Sequence, residues 1–206
     1  MVARPVMARS AGTSARYSIP AAKVDRIGGK VEDMAAFFNE ARHADIPILP
    51  PDVNASDRRW QGRQGEVRVG LDSVAGLSAA CRDRLLAARR QGPFTDAVDC
   101  WHRVRPADDE ARALIHAGAL DSLDAGGNRT TLLWQWAVFM RRREMAAAAS
   151  LFPPVLAEPP PLPPPDRLTL LRREFAVLGF LCSAHPVTLI ARLPSGLVTV
   201  ARLGDH

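Results

Sequence analysis

Lysine is nearly missing from this chain: Lys23 and Lys30 are the only two, so arginine carries almost all of its basic charge. The planar guanidinium fork suits phosphate oxygens, although such a bias also follows from genome composition alone. Cysteine is scarce as well. Cys81, Cys100 and Cys182 are odd in number and form no C-x-x-C pair, which argues against a disulfide framework or a zinc module and reads as reduced thiols in an intracellular protein. No apolar run approaches the ~18 residues that a membrane-spanning helix needs, and the N-terminus lacks the apolar core of a signal peptide. A soluble, cytoplasmic protein without membrane association is therefore expected. There is no P-loop, no G-x-S-x-G and no H-E-x-x-H, so the commonest phosphate-binding, acyl-transfer and zinc-protease signatures are absent.

What remains is an ordinary globular composition, 47% hydrophobic and 24% charged, with a formal net charge of +5 and a pI near 9.8. Between Trp60 and Arg105 eight arginines stand against five acidic residues. That excess favours an anionic partner without demanding one.

Turn chemistry, helical period and positive charge coincide in Val67 to Gln91, VRVGLDSVAGLSAACRDRLLAARRQ. A short apolar segment, Leu71 to Val74, leads into Ala75-Gly76-Leu77-Ser78, and a longer helix is expected from Ala79. Gly76 can take a positive φ at no steric cost, and Ser78 is a good N-cap. Cys81, Leu85 and Ala88 fall at i, i+4 and i+7 as a buried stripe, with Arg82 and Arg89 on a neighbouring, wetter face. The pattern reads as a helix-hairpin-helix that aims backbone N–H groups outward beside arginines, a cradle for phosphate. Taken alone, the same pattern also fits a turn between two amphipathic helices in any helical domain.

Along the chain, Met1 to Ala22 contains no acid and no sustained period, which suggests a flexible basic arm. Val31 to Asp45 reads as an amphipathic helix and IPILPPDVN as an extended strap. Trp60, among Arg58, Arg59 and Arg63, is either a half-buried ring or a stacking platform for a base. Glu66 to Val69 alternates as a short strand. After Gly92-Pro93, Phe94, Val98 and Trp101 fall at helical spacing as a packing face. Pro106 to Ala117 is a third helix with Leu114 and Ile115 inward and Gly118 as its C-cap. The run Asp108-Asp109-Glu110 suits a helix start. A long helix begins at Asn128 and Arg129, with Leu132, Leu133, Trp136 and Met140 on one stripe. It ends near Arg141 to Arg143, where the charge either touches phosphate or complements the helix dipole. Pro153 to Pro165 holds eight prolines in thirteen residues, a spacer of roughly 40 Å that is read as a domain boundary. Beyond it, Leu168, Leu171, Phe175 and Leu178 are expected on one face of a helix capped by Asp166. His185, before Pro186, fits a structural turn far better than a catalytic role, and Gly196 to Leu203 alternates as one strand.

Five stretches in order, AAFFNEARHADIPILPPDVNAS, VRVGLDSVAGLSAACRDRLLAAR, GPFTDAVDCWHRV, ALIHAGALDSL with GNRTTLL, and LGFLCSAHPVTL, resemble the alpha subunit of bacterial DNA polymerase III, a C-family polymerase. They span about Lys30 to Leu189. The resemblance implies the end of the family's fingers, its tandem helix-hairpin-helix region with a second hairpin at Gly118-Ala119-Leu120-Asp121, and the approach to its OB-fold domain. Where the family has Gly-apolar-Gly at the first hairpin, this chain has Gly76-Leu77-Ser78. The palm aspartates that hold two metal ions in the family have no counterpart here, nor have the His/Asp sites of its phosphoesterase domain.

The expected fold is mainly α. It comprises a basic arm (1–29), a fingers-like segment (30–66), a tandem helix-hairpin-helix (67–150), a proline-rich linker (151–166) and a short C-terminal α/β tail that stops before an OB domain forms (167–206). The DNA-contact set is Gly76, Leu77, Ser78, Arg82, Arg89, Gly118 and Arg129, with no catalytic residue, metal or cofactor. The expected partners are double-stranded or primer-template DNA and other polymerase subunits. The alternative is a non-catalytic interaction module that docks on polymerase or clamp components through its apolar helices and proline segment.

Overall fold

The computed structural model describes residues 37–147 and 160–189, apart from 39, 42, 64 and 125–127. The expected basic arm, most of the proline run and the strand at Gly196 to Leu203 lie outside the described residues. So do 31–36 of the first expected helix, of which residues 37, 38, 40, 41 and 43 are helical.

The described chain is mainly α. A small sheet comes first, made of β1 (Ile48–Leu49), β2 (Gln61–Arg63) and β3 (Glu66–Arg68) in the order β1-β3-β2. β3 runs parallel to β1 and antiparallel to β2. Five helices follow: α1 (Ala79–Arg90), α2 (Ala97–Val104), α3 (Asp108–Ala117), α4 (Arg129–Ala147) and α5 (Arg167–Leu178). Single 3-10 turns lie at Leu71–Ser73, Asp121–Leu123 and Pro186–Leu189.

Four of the five helices start where the sequence supplies a capping side chain. Ser78, Asp96 and Asp166 accept from the amides of Cys81, Asp99 and Thr169 respectively, and Asn128 Oδ1 accepts from Thr130 N at 3.0 Å. Such caps satisfy amides that have no intrahelical partner. Gly118 and Gly179 end α3 and α5 with φ of 80° and 76°, the left-handed C-cap that glycine adopts without strain.

The main core joins Cys81, Leu85 and Ala88 of α1 to Ala97, Cys100, Trp101 and Val104 of α2, Leu114 and Ile115 of α3, Leu132 and Trp136 of α4 and Leu178 of α5. Burial of one such Leu or Ile side chain contributes ~1.5–3 kcal/mol. A second cluster gathers Phe37, Phe38, Ile46, Trp60, Val67 and Val69, and Phe180 packs against both clusters. α5 also reaches the first hairpin, where Ala75 N donates to Val177 O at 2.8 Å. The helix beyond the proline run thus shares the core of the helices before it.

Three expectations need correction. The first element of the hairpin is a three-residue 3-10 turn, too short for a helix. Val98 is 41% exposed, because the buried stripe of α2 runs through Ala97, Cys100, Trp101 and Val104. Phe175 is 44% exposed. Its place in the α5 stripe is taken by Glu174, whose carboxylate accepts from Cys182 N and from the Ser183 amide and hydroxyl. Of the two readings of Trp60, the packed ring holds: it is 5% exposed, ringed by Phe37, Phe38 and Phe180, and donates from Nε1 to Ser73 Oγ at 2.7 Å.

Candidate nucleic-acid interface

The first hairpin is built by two buried side chains and one glycine. Val74 and Leu77 sit in the core at either side of the turn, the Leu77 amide donates to Val74 O at 3.3 Å, and Gly76 takes φ +84°. A Cβ on Gly76 would lie 3.8 Å from Ala113 Cβ, so the backbone conformation, and not crowding, demands glycine there. Ser78 follows in an extended conformation and caps α1.

Among the described residues the exposed amides of Gly76, Ala79 and Ala80 have no hydrogen-bond partner. They lie at the turn and in the first turn of α1, the positive end of that helix dipole. The Ser78 amide is different. It donates to Glu110 Oε1 at 3.3 Å, and the Ser78 hydroxyl donates to the same oxygen. Glu110 Oε2 accepts from Ala107 N at 2.8 Å and lies 3.6 Å from Arg84 Nη2. Burial alone would raise the Glu110 pKa, but the donors at Ser78, Ala107 and Cys81 hold it below the ordinary carboxylate range. One buried carboxylate therefore staples α1 to α3.

The arginines read from the sequence are held inside the fold. Arg82 Nη1 donates to Leu77 O at 2.6 Å, while Nε lies 2.9 Å from Asp72. Arg89 stands further along α1 and grips Val53 O, Ser56 O and Asp57. Arg129, whose side chain is 13% exposed, makes a two-pronged pair with Asp121 and donates from Nη1 to His116 O at 3.0 Å. Arg82 and Arg129 brace the two hairpins, and Arg89 braces the loop at 53–57.

The second hairpin closes on itself. The amides of Gly118, Ala119 and Asp121 donate to Ile115, Leu114 and Gly118 carbonyls, and Ala119 and Leu120 are fully buried. The Arg129 guanidinium occupies the space beside Gly118, where a Cβ would meet Nη2 at 2.2 Å. Gly76, Leu77, Ser78 and Arg82 thus form one group, and Gly118 with Arg129 a second. α3 joins them, with Ala113 against Gly76 and its C-terminus at Gly118. Arg89 lies apart, on the loop at 53–57.

Sequence reading missed Glu110, which looked like a dipole acid, and it missed Arg84. The thiols are poor nucleophiles: desolvation by burial, with nearby acids, pushes Cys81 and Cys100 up to about 12, and burial beside Glu174 raises Cys182. Among the described residues no group of three or more His, Cys, Asp or Glu is placed to hold a metal ion, and no helix is long and apolar enough to cross a membrane.

A family model described as helix-hairpin-helix motif matches residues 45–132, which include both hairpins. An error-prone DNA polymerase of Ralstonia nicotianae is 35% identical over 106 residues, 47% of this chain and 10% of the relative. The DNA polymerase III subunit alpha of Bacillus subtilis is 34% identical over 109 residues, 51% of this chain and 10% of the relative. The corresponding subunit of Thermus aquaticus is 34% identical over 164 residues, 76% of this chain and 13% of the relative. The chain spans about one tenth of the length of these relatives. It carries a helix-hairpin-helix motif and, over about half its length, is related to the DnaE-type polymerases, the DNA polymerase III alpha subunits and error-prone DNA polymerases.

Proposed function

We propose that this chain binds the backbone of double-stranded or primer-template DNA without sequence preference, as a fragment or stand-alone relative of the polymerase alpha subunit. The observation that carries the reading is the set of exposed, unpartnered amides at Gly76, Ala79 and Ala80, presented at the positive end of α1 by a turn that needs glycine. Such amides donate to phosphate oxygens and read no base. The role is DNA replication or error-prone repair synthesis, with other polymerase subunits as partners. The arrangement into a fingers-like segment (30–66), a hairpin region (67–150), a linker (151–166) and a tail (167–206) belongs to the same proposal. Fluorescence anisotropy on two unrelated duplexes across a salt series tests it. Equal affinity for both, falling steeply with salt, is the expected result; a salt-independent signal contradicts it.

The exposed Phe175 of α5 favours a second reading, in which the chain docks on another protein through an apolar contact. That reading predicts no duplex binding at low salt.

A further inference from the structure

The tip of the first hairpin is exposed at Ala75 and Gly76 and again from Ser78 to Ala80. Its amides fall into two sets. Ala75 N donates to Val177 O of α5 at 2.8 Å, Leu77 N to Val74 O across the turn, and Ser78 N to Glu110 of α3. Among the described residues the amides of Gly76, Ala79 and Ala80 have no partner. The backbone of the tip is therefore tied to two other helices, to α3 through Ser78 and to α5 through Ala75.

The turn closes without help from α5. Leu77 N meets Val74 O at 3.3 Å, and φ is positive at Gly76 but not at Ala75, the pattern of a type II turn. Val74 and Leu77 anchor its two ends in the core. The tilt of the tip between those anchors is what Val177 can set. Its carbonyl lies in the last turn of α5, where C=O groups lack an intrahelical partner, and α5 itself is firmly seated. Leu171, Glu174 and Leu178 are buried, Leu178 enters the same core as Val74 and Leu77, and Glu174 is engaged by Cys182 and Ser183.

We infer that Val177 is a positioning residue of the DNA-binding hairpin. By holding Ala75, its carbonyl fixes the direction in which the Gly76, Ala79 and Ala80 amides meet a phosphate of the duplex, so α5 works as part of the nucleic-acid site although it stands beyond the proline run. Hydrogen bonds weaken steeply once the N–H···O angle falls below ~120°. A tilted tip therefore loses affinity without the loss of any charge. Docking of α5 and binding of the duplex are then linked, each favouring the other by the same factor. The inference rests on the DNA-binding proposal and deepens it.

The test uses the full chain and two measurements. Ala75→Pro suits the turn, because proline is favoured at the second position of a type II turn and Val74 already has the extended ψ of 104° that precedes proline. It removes the Ala75 N–H and sets Cδ against the Val177 carbonyl, which breaks the contact with α5. With circular dichroism melts to confirm folding, anisotropy on a short duplex is expected to show affinity lowered about fivefold or more. The salt slope should stay unchanged, since no cation is lost. The second measurement is amide hydrogen exchange of the wild type, with and without the duplex. The duplex is expected to slow exchange over Arg167–Leu178 as well as over the hairpin, which an α5 that served stability alone would not show. A duplex that protects the hairpin and leaves α5 unchanged overturns the inference, and this result decides if Ala75→Pro does not fold. Wild type that binds no duplex defeats the DNA-binding proposal and this inference with it; wild type that binds and is matched by folded Ala75→Pro defeats this inference alone.

Discussion

Glu110 closes the N-terminus of α1 from another helix: one oxygen of its carboxylate accepts both the amide and the hydroxyl of Ser78, thirty-two residues away in sequence. The other oxygen caps α3 at Ala107. Where the resembling polymerases carry a second hairpin glycine, serine here supplies a hydroxyl for this staple.

Removal of that carboxylate leaves the start of α3 uncapped and the Ser78 amide and hydroxyl without their acceptor. Glu110→Ala is expected to destabilise the fold by ~2–4 kcal/mol, measured by urea unfolding at neutral pH. The pH dependence follows from the depressed pKa. Its contribution is complete above the unfolded value near 4.5 and is lost as pH falls through the lower folded value. The gap between wild type and Glu110→Gln should therefore narrow at pH 3; a gap that widens there contradicts the assignment.

Gly118 and Gly179 share a left-handed conformation but not an environment. A Cβ on Gly118 would strike Arg129 Nη2, whereas nothing lies within 4 Å of one on Gly179. Gly179→Ala should cost only the backbone strain of ~1–2 kcal/mol. Gly118→Ala should cost ~1–3 kcal/mol more, because the Arg129–Asp121 pair must also open. Equal melting temperatures for the two variants would show that Arg129 moves aside freely.

Much of the helical frame was legible in local chemistry. Ser78, Asp166, Gly118 and Gly179 mark helix ends through their own side chains or the lack of one, and the Cys81, Leu85, Ala88 stripe follows directly from the helical period. Contacts between distant segments were not legible. Period alone cannot say that Glu174 outcompetes Phe175 for the buried face, since the amides at 182–183 that reward it belong to another turn. The arginines were legible as charge but not as braces, because the carbonyls of Leu77, Ser56 and His116 that hold them are assembled only by the fold. The proline run was read as a boundary from composition, yet Val177 beyond it holds Ala75.

The proline segment is expected to be the preferred site of cleavage. Limited proteolysis should cut near Leu156 to Leu162 and release a helical core that begins around Lys30. Because α5 shares the core, its fragment should stay associated after the cut. A single protected species with both ends intact contradicts this division of the chain.

The sequence offers no counterpart to the family's closely spaced palm aspartates, and purified protein with primed template, Mg²⁺ and nucleotides is expected to give no primer extension. Extension that EDTA abolishes would require a metal site elsewhere in the chain.

The central claim is that the first hairpin holds phosphate by its backbone, and comparison of Gly76→Val with Arg89→Ala tests it most directly. A β-branched residue cannot hold φ near +84° without strain, so Gly76→Val should displace the amides of Gly76, Ala79 and Ala80. Arg89 grips its own loop, so Arg89→Ala should lower stability more than affinity. The measurement is anisotropy on two unrelated duplexes across a salt series, with circular dichroism melts to confirm that each variant is folded. The account predicts that folded Gly76→Val loses affinity for both duplexes alike, while folded Arg89→Ala binds nearly as wild type. Folded Gly76→Val that binds like wild type, with Arg89→Ala and a triple Ala variant of Arg141 to Arg143 both weakened, would reduce the hairpin to a turn and the binding to diffuse electrostatics.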